Sequence, residues 1–175
     1  MLLVHICCAP CLTYPHEWLQ ERKVKFKGLF FNPNIHPFQE FRKRAETLEE
    51  YSAKMGIDIA YEKRYGLLDF LHSTVGREKE RCLFCYESRL RRAASEAKAQ
   101  GFSAFTSTLL VSPYQKHDLI KSTAERVAQE EGIEFFYVDW RDGYRQGVQR
   151  SRDLGLYRQR YCGCIYSEAE REGAL

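Results

Sequence analysis

The chain has no long apolar run, no Gly-, Pro- or Ser-rich tract and no repeated segment, and each absence removes a class of protein. Nothing approaches the roughly 20 consecutive apolar residues that cross a bilayer, so no membrane partner is expected. With five prolines and 11 glycines scattered over 175 residues, no linker divides the chain, and one continuous domain over 1–175 is expected. Neither Gly-x-Gly-x-x-Gly nor a Walker-type loop is present, so no ATP or nicotinamide site is expected. A strong charge of one sign is also missing. The formal net charge of +3 is too small by itself to imply a polyanionic partner. The opening Met1-Leu2-Leu3-Val4-His5-Ile6 lacks the basic start and apolar stretch of a secretory signal, so reducing cytoplasm is the expected compartment.

Cysteine, by contrast, is abundant and clustered. Seven residues fall into Cys7-Cys8-x-x-Cys11, Cys82-x-x-Cys85 and Cys162-x-Cys164. An odd number argues against a closed set of structural disulfides, and tight clustering argues against inert packing of small apolar side chains. A metal or redox centre is the expectation.

Strand-length apolar runs recur at Leu2 to Cys7, Val24 to Asn32, Ile57 to Tyr61, Ala104 to Ser107 and Glu134 to Val138. Helical periodicity separates several of them. In 37–55, Phe38, Phe41, Ala45, Leu48, Ser52 and Met55 form a stripe that ends at Gly56; in 83–100, Tyr86, Leu90, Ala93, Ala94 and Ala97 do the same before Gly101. A third helix is expected over Tyr114 to Glu131, stopped by Gly132. Alternating strands and helices predict an α/β fold, Rossmann-like and three-layered, with a five-stranded parallel sheet. Such a sheet gathers its functional loops at the carboxyl edge. That rim would collect Cys7, Cys8 and Cys11, then Asn32-Pro33-Asn34, Thr106-Ser107-Thr108 and Asp139. The asparagine and the hydroxyls suit either substrate binding or satisfaction of strand-end backbone groups.

Cys82 and Cys85 are spaced to share the first turn of a helix, where the helix dipole and the nearby Arg81 and Arg89 favour thiolate. Side chains on consecutive strand residues diverge, so Cys7 and Cys8 are awkward joint ligands for one tetrahedral zinc unless the following turn brings them together. A cubane offers separate iron corners, and the chemistry therefore favours an iron–sulfur cluster over zinc. Cys162-Gly163-Cys164 permits a tight turn that serves either as a metal bite or as an easily reduced disulfide, and the spacing does not choose between them. His5 lies in an apolar run, where a hydrogen-bonded core histidine is the plainer interpretation. His5, Tyr86, Tyr161 and Asp139 all come near the rim, and none is singled out as a proton donor.

Four segments in order resemble one family: His5-Ile6-Cys7-Cys8-Ala9-Pro10-Cys11, Phe31-Asn32-Pro33-Asn34-Ile35, Cys82-x-x-Cys85-Tyr86-x-x-Arg89-Leu90 and Tyr157-Arg158-Gln159-x-Tyr161-Cys162-Gly163-Cys164. With Thr106 to Pro113 added, the similarity spans nearly the whole chain and is to the QueH-type epoxyqueuosine reductases, which work without cobalamin. The resemblance implies a fold of the adenine nucleotide hydrolase-like class and the last step of queuosine synthesis, the conversion of epoxyqueuosine to queuosine at the tRNA wobble position. It implies Cys7, Cys8, Cys82 and Cys85 as ligands of a [4Fe-4S] cluster and Cys162 with Cys164 as a redox-active pair, able to close a disulfide, or as ligands of a second, mononuclear iron. Cys11 and Asp139 are further candidates for that iron. Asn32, Thr106, Ser107, Thr108, Arg158 and Tyr161 are candidates for substrate contact. An electron donor outside the chain is required.

Residues 141 to 160 carry Arg141, Arg145, Arg150, Arg152, Arg158 and Arg160 interleaved with Tyr144 and Tyr157, a composition that suits phosphates and exposed bases of an anticodon loop. Arg42-Lys43-Arg44 and Arg89-x-Arg91-Arg92 are candidate extensions of that patch. Two other classes share parts of the pattern: a zinc-stabilised nucleotide- or RNA-binding module without turnover, and a general thiol-disulfide oxidoreductase.

Overall fold

A computed structural model describes residues 1–175. Five strands, β1 (Leu2–His5), β2 (Phe26–Phe31), β3 (Ile59–Glu62), β4 (Ala104–Ser107) and β5 (Glu134–Phe135), form one all-parallel sheet in the order β3-β2-β1-β4-β5. Every neighbouring pair is parallel, with Val4 opposite Gly28 on one side and Thr106 on the other. The expected Rossmann-like architecture is therefore present. β5 is the weak member. Its ladder covers two residues, because Tyr137 and Val138 leave the sheet edge after Phe136 donates one last bond to Phe105.

Seven helices flank the sheet: α1 (Ala9–Glu21), α2 (Phe38–Met55), α3 (Leu67–Thr74), α4 (Arg81–Ala99), α5 (His117–Glu131), α6 (Tyr144–Asp153) and α7 (Ile165–Arg171). The third expected helix starts at His117 rather than Tyr114, because residues 112–116 form a loop after the short 3-10 turn that follows β4. α4 buries Tyr86, Leu90, Ala93, Ala94 and Ala97, as its periodicity predicts, and its small residues let it pack closely on α5 and β4. α2 buries Phe41, Ala45, Leu48 and Ser52, whereas Phe38 and Met55 at its two ends stay exposed. Gly56 closes α2 and Gly132 closes α5, both in the left-handed conformation that favours glycine. α6 lies on α1, and a side chain at Gly143, just before it, would overlap the Tyr14 ring.

Strands on either side of β1 are reached by chain running in opposite directions across the sheet, so the gap between β1 and β4 is the topological switch point where open α/β sheets bind ligands. Cys7 and Cys8 leave β1 there, and Thr108 leaves β4 beside them. None of the helices is long and apolar enough to cross a membrane.

Candidate metal centre

The bend after β1 overrides the divergence expected of adjacent side chains. Cys8 is extended and caps α1, which starts at Ala9-Pro10 and carries Cys11 in its first turn. As a result the sulfurs of Cys7, Cys8 and Cys11 all lie within 4.8 Å of one another, with Cys7 and Cys8 Sγ 3.8 Å apart. A tetrahedral ion with bonds of about 2.3 Å sets its sulfurs about 3.8 Å apart, so the adjacency of Cys7 and Cys8 does not disfavour a single ion. Contrary to the expectation from strand geometry, the turn after β1 removes the obstacle to a shared zinc.

Thr108 fixes Cys7, accepting from its backbone N–H at 3.1 Å and lying 3.3 Å from its sulfur. Hydrogen bonds from Cys11, then Cys8, then Thr108 hold the Cys7 thiol well below the usual thiol range despite burial. Cys8 is pushed up chiefly by burial, and Cys11 chiefly by its bond to Cys7. Among the three sulfurs the negative charge is thus favoured at Cys7, where a bound cation would neutralise it.

The other four cysteines form a second group. Cys85 and Cys164 pack together with Phe70, and Cys82 and Cys162 lie close enough to act on the Cys85 thiol. Burial raises Cys85 to about 12 and also raises Cys82, so desolvation outweighs the thiolate preference of the helix start. All seven cysteines are free thiols. Cys162 is exposed and accepts a hydrogen bond from Gln115 at 3.2 Å, while Cys164 is buried and caps α7 by accepting from the Ser167 N–H at 3.4 Å, so the pair faces two ways.

Arg44 and Arg89, candidate extensions of the basic patch, are buried instead, each 2% exposed. Arg89 donates to Cys85 Sγ at 2.9 Å and to the Cys85 carbonyl at 3.0 Å. Burial works against its charge, and Cys85, Cys162 and Cys7 restore it; no carboxylate is among its compensating groups. Arg44 bonds Glu40 at 2.7 Å and reaches the Cys162 and Tyr161 carbonyls at 2.9 and 3.1 Å. Glu40 in turn accepts from Tyr157 at 2.5 Å, so the segment before Cys162 is latched to α2. Arg91 and Arg92 also leave the patch, held by Glu87, Glu130 and Glu131 and by Glu62 and Glu96. Arg42 pairs with Glu46, and Lys43 sits over the Tyr157 ring.

A cavity of about 260 Å³ opens onto this ground, lined by Cys7, Cys11, Arg44, Arg89, Gln115 and Cys162 with Tyr114, Tyr144, Gln159, Arg160 and Tyr161 around them. A recess of about 70 Å³ adjoins it through Cys11, Tyr144 and Gln159 and is lined by Arg158. Gln159 donates to Cys8 Sγ at 3.0 Å. The two glutamines were not singled out in the sequence; Gln159 stands inside a motif, but Gln115 has no local signal.

Not every rim residue faces the cavity. The Asn32 amide donates to the Ile6 carbonyl at 2.9 Å, Ser107 bonds His5 Nδ1 at 2.8 Å and caps the 3-10 turn, and Thr106 is buried in β4. Asn32 and Ser107 hold strand ends, whereas the buried Thr106 hydroxyl makes no hydrogen bond. Asp139 is bound by Arg141 and lowered to about 2 by it, with His117 nearby, and it lies outside the cavity lining. The Tyr86 hydroxyl donates to Gln115 at 2.7 Å and so supports the cavity wall from behind.

His5 and His36 are fully buried, and desolvation lowers both to about 4. Between about pH 6.5 and 4 the unfolded chain binds a proton at each that the folded chain does not. Stability is therefore expected to fall as pH falls through that window, by up to about 1.4 kcal/mol per pH unit per histidine. Urea unfolding across this range should show the slope, and His36→Phe, which suits the Tyr65 and Phe70 rings packed on it, should remove its share.

Residues 2–170 match the family model described as "Epoxyqueuosine reductase QueH". Similar proteins of that name include one from Dehalococcoides mccartyi, 39% identical over 98% of this chain and 94% of its own length. Those from Thermotoga maritima and Haemophilus influenzae are 34% and 32% identical, over 97% and 95% of this chain and 91% and 71% of their own lengths. With a family match from the first strand into the last helix, and the cysteine clusters converging at the switch point of the sheet, the chain belongs to the epoxyqueuosine reductase QueH family of oxidoreductases.

Proposed function

We propose that this chain, as one domain acting in the cytoplasm, reduces epoxyqueuosine to queuosine at the wobble position of tRNA, using a [4Fe-4S] cluster and a further iron held by its cysteines. The observation that carries this is the meeting of seven free thiols in two adjoining groups beside a buried, carboxylate-free arginine. Seven donors exceed the four ligands of one zinc ion. A buried guanidinium with thiols but no carboxylate around it is costly, and a thiolate-bound centre of net negative charge is its natural partner. Cys7, Cys8, Cys82 and Cys85 would hold the cluster, leaving Cys11, Cys162 and Cys164 for a second iron or for redox exchange; Asp139 would need to leave Arg141 to join them.

When bound, iron–sulfur centres supply single electrons and Lewis acidity, which no side chain provides. The overall change needs two electrons and two protons per epoxide, and the oxygen leaves as water. The chain's own contribution is positional. Gln115 and Gln159 direct amide N–H groups at sulfurs of Cys162 and Cys8, and Arg44 fixes the backbone of Cys162. Tyr144 and Tyr161 wall the cavity and limit water beside its thiols. Cys162 and Cys164 together hold two thiol hydrogens, and their conversion to a disulfide releases the two electrons and two protons the reaction consumes. Closing that disulfide requires Cys164 to give up its cap on α7.

The 3.8 Å separation of Cys7 and Cys8 also favours a second account, a single zinc at the triad of a non-catalytic RNA-binding module. Anaerobic purification with iron, sulfide and zinc analysis, followed by assay of the reduced protein on epoxyqueuosine-containing tRNA, separates the two. About four sulfides, four or more irons and queuosine formation are expected. Zinc without sulfide or turnover would reject the reductase proposal.

A further inference from the structure

Tyr114 is 82% exposed, yet the loop that carries it is firmly tied. Its neighbour Gln115 donates to Cys162 Sγ at 3.2 Å and accepts from the Tyr86 hydroxyl at 2.7 Å, and the Lys116 N–H donates to that hydroxyl at 3.2 Å. The Tyr114 N–H is held by Ser112 Oγ at 3.3 Å. A large aromatic side chain on a stiff loop, left almost wholly in water, contributes little to folding. Its one aromatic contact is Tyr144, met edge to face at a centroid distance of 5.7 Å and an interplanar angle of 81°. Both rings line the thiol cavity and adjoin one another: Tyr114 comes from the loop before α5 and Tyr144 from the start of α6.

A cavity of about 260 Å³ is of the order of one nucleoside, so nucleotides flanking an inserted one would lie outside it. Drawing a base from a loop breaks its stacking on both sides, and proteins that do so restore stacking with aromatic rings. The basic residues at the mouth are disposed for the backbone. Of the six arginines in 141–160, Arg141 and Arg150 are taken by Asp139 and Glu17, whereas Arg158 lines the recess and Arg160 the cavity, both exposed and without a carboxylate partner.

From this juxtaposition we infer that Tyr114 and Tyr144 form a stacking platform for a base flanking the nucleotide inserted in the cavity, in a single-stranded RNA loop, with Arg158 and Arg160 on its phosphates. The inference rests on the tRNA substrate proposed above and adds the subsite that reads the loop around it. Sequence alone does not indicate Tyr114, which lies about 30 residues before the basic segment and at the start of a predicted helix.

Fluorescence anisotropy with a short anticodon stem–loop RNA tests it. Tyr114→Ala should weaken binding about tenfold, Tyr114→Phe should stay within about twofold because stacking needs the ring and not the hydroxyl, and the salt slope should be unchanged in both. An abasic site next to the wobble nucleotide should cost the native protein a similar factor and cost the Tyr114→Ala variant nothing further. If Tyr114→Ala binds the intact loop as tightly as the native protein, while Arg158→Ala with Arg160→Ala weakens binding and flattens the salt slope, the platform is wrong and the RNA substrate stands. If the native protein does not bind the loop, both fall.

Discussion

Cys7→Ala should purify as a folded chain that has lost most of its iron and sulfide and whose turnover on epoxyqueuosine tRNA is down by roughly a thousandfold or more. Several kcal/mol of transition-state stabilisation by bound metal corresponds to that factor. Folding should survive because the sulfur is a small apolar group in a core of 31 buried residues, and its removal costs on the order of 1 kcal/mol. The contrast with Cys11→Ala is informative. Under the proposed ligand assignment that variant keeps its sulfide and about four irons while turnover falls with loss of the further iron. If Cys11→Ala loses sulfide as completely as Cys7→Ala, the triad that lies within 4.8 Å is the cluster-binding unit and the assignment of Cys82 or Cys85 must change.

Arg89→Met should lower the midpoint potential of the loaded protein by on the order of 100 mV. The guanidinium donates to Cys85 Sγ at 2.9 Å, and a buried positive charge favours the more negative, reduced state of a thiolate-bound centre. Its loss favours the oxidised state. The metal-free variant should behave oppositely in stability, unfolding at the same or higher urea concentration, since the arginine there is a buried charge with no carboxylate beside it. An optical redox titration and a denaturation curve on the two forms check both signs. A potential unchanged within about 20 mV would show that Arg89 only packs against Cys85.

Much of this was legible in the residues. The parallel sheet followed from five apolar runs separated by helical stripes, and the rim rule brought Cys7, Cys8 and Thr108 together from strands more than 90 positions apart in sequence. What failed did so for definable reasons. A charged side chain on an amphipathic helix is read as solvent-facing, so Arg44 and Arg89 were offered as extensions of a basic surface although each is inserted among backbone carbonyls or thiols; the placing of Arg89 near the Cys82 and Cys85 thiols is borne out at Cys85. Periodicity carries no information about a partner supplied from a distant segment. α3 and α7, at eight and seven residues, are too short to show a stripe, and β5 depends on two pairings at the sheet edge. Asn32 and Ser107 were placed correctly at strand ends, but which way such a residue points is decided by Ile6 and His5 across the sheet.

The bond from Gln159 to Cys8 spans 151 positions, and it has a consequence for synthesis. At about 5–20 residues per second a ribosome needs roughly 8–30 s to pass from one to the other. Through that interval Cys7, Cys8 and Cys11 exist without Gln159, without the Arg44 latch on Cys162 and without a closed cavity, open to oxidants and to whichever soft cation arrives first. The centre is thus the last part of the molecule to be enclosed although its first thiols are among the earliest residues made. Any metal these thiols take would be chosen from the cell's free ion pool before the fold could exercise a selection of its own.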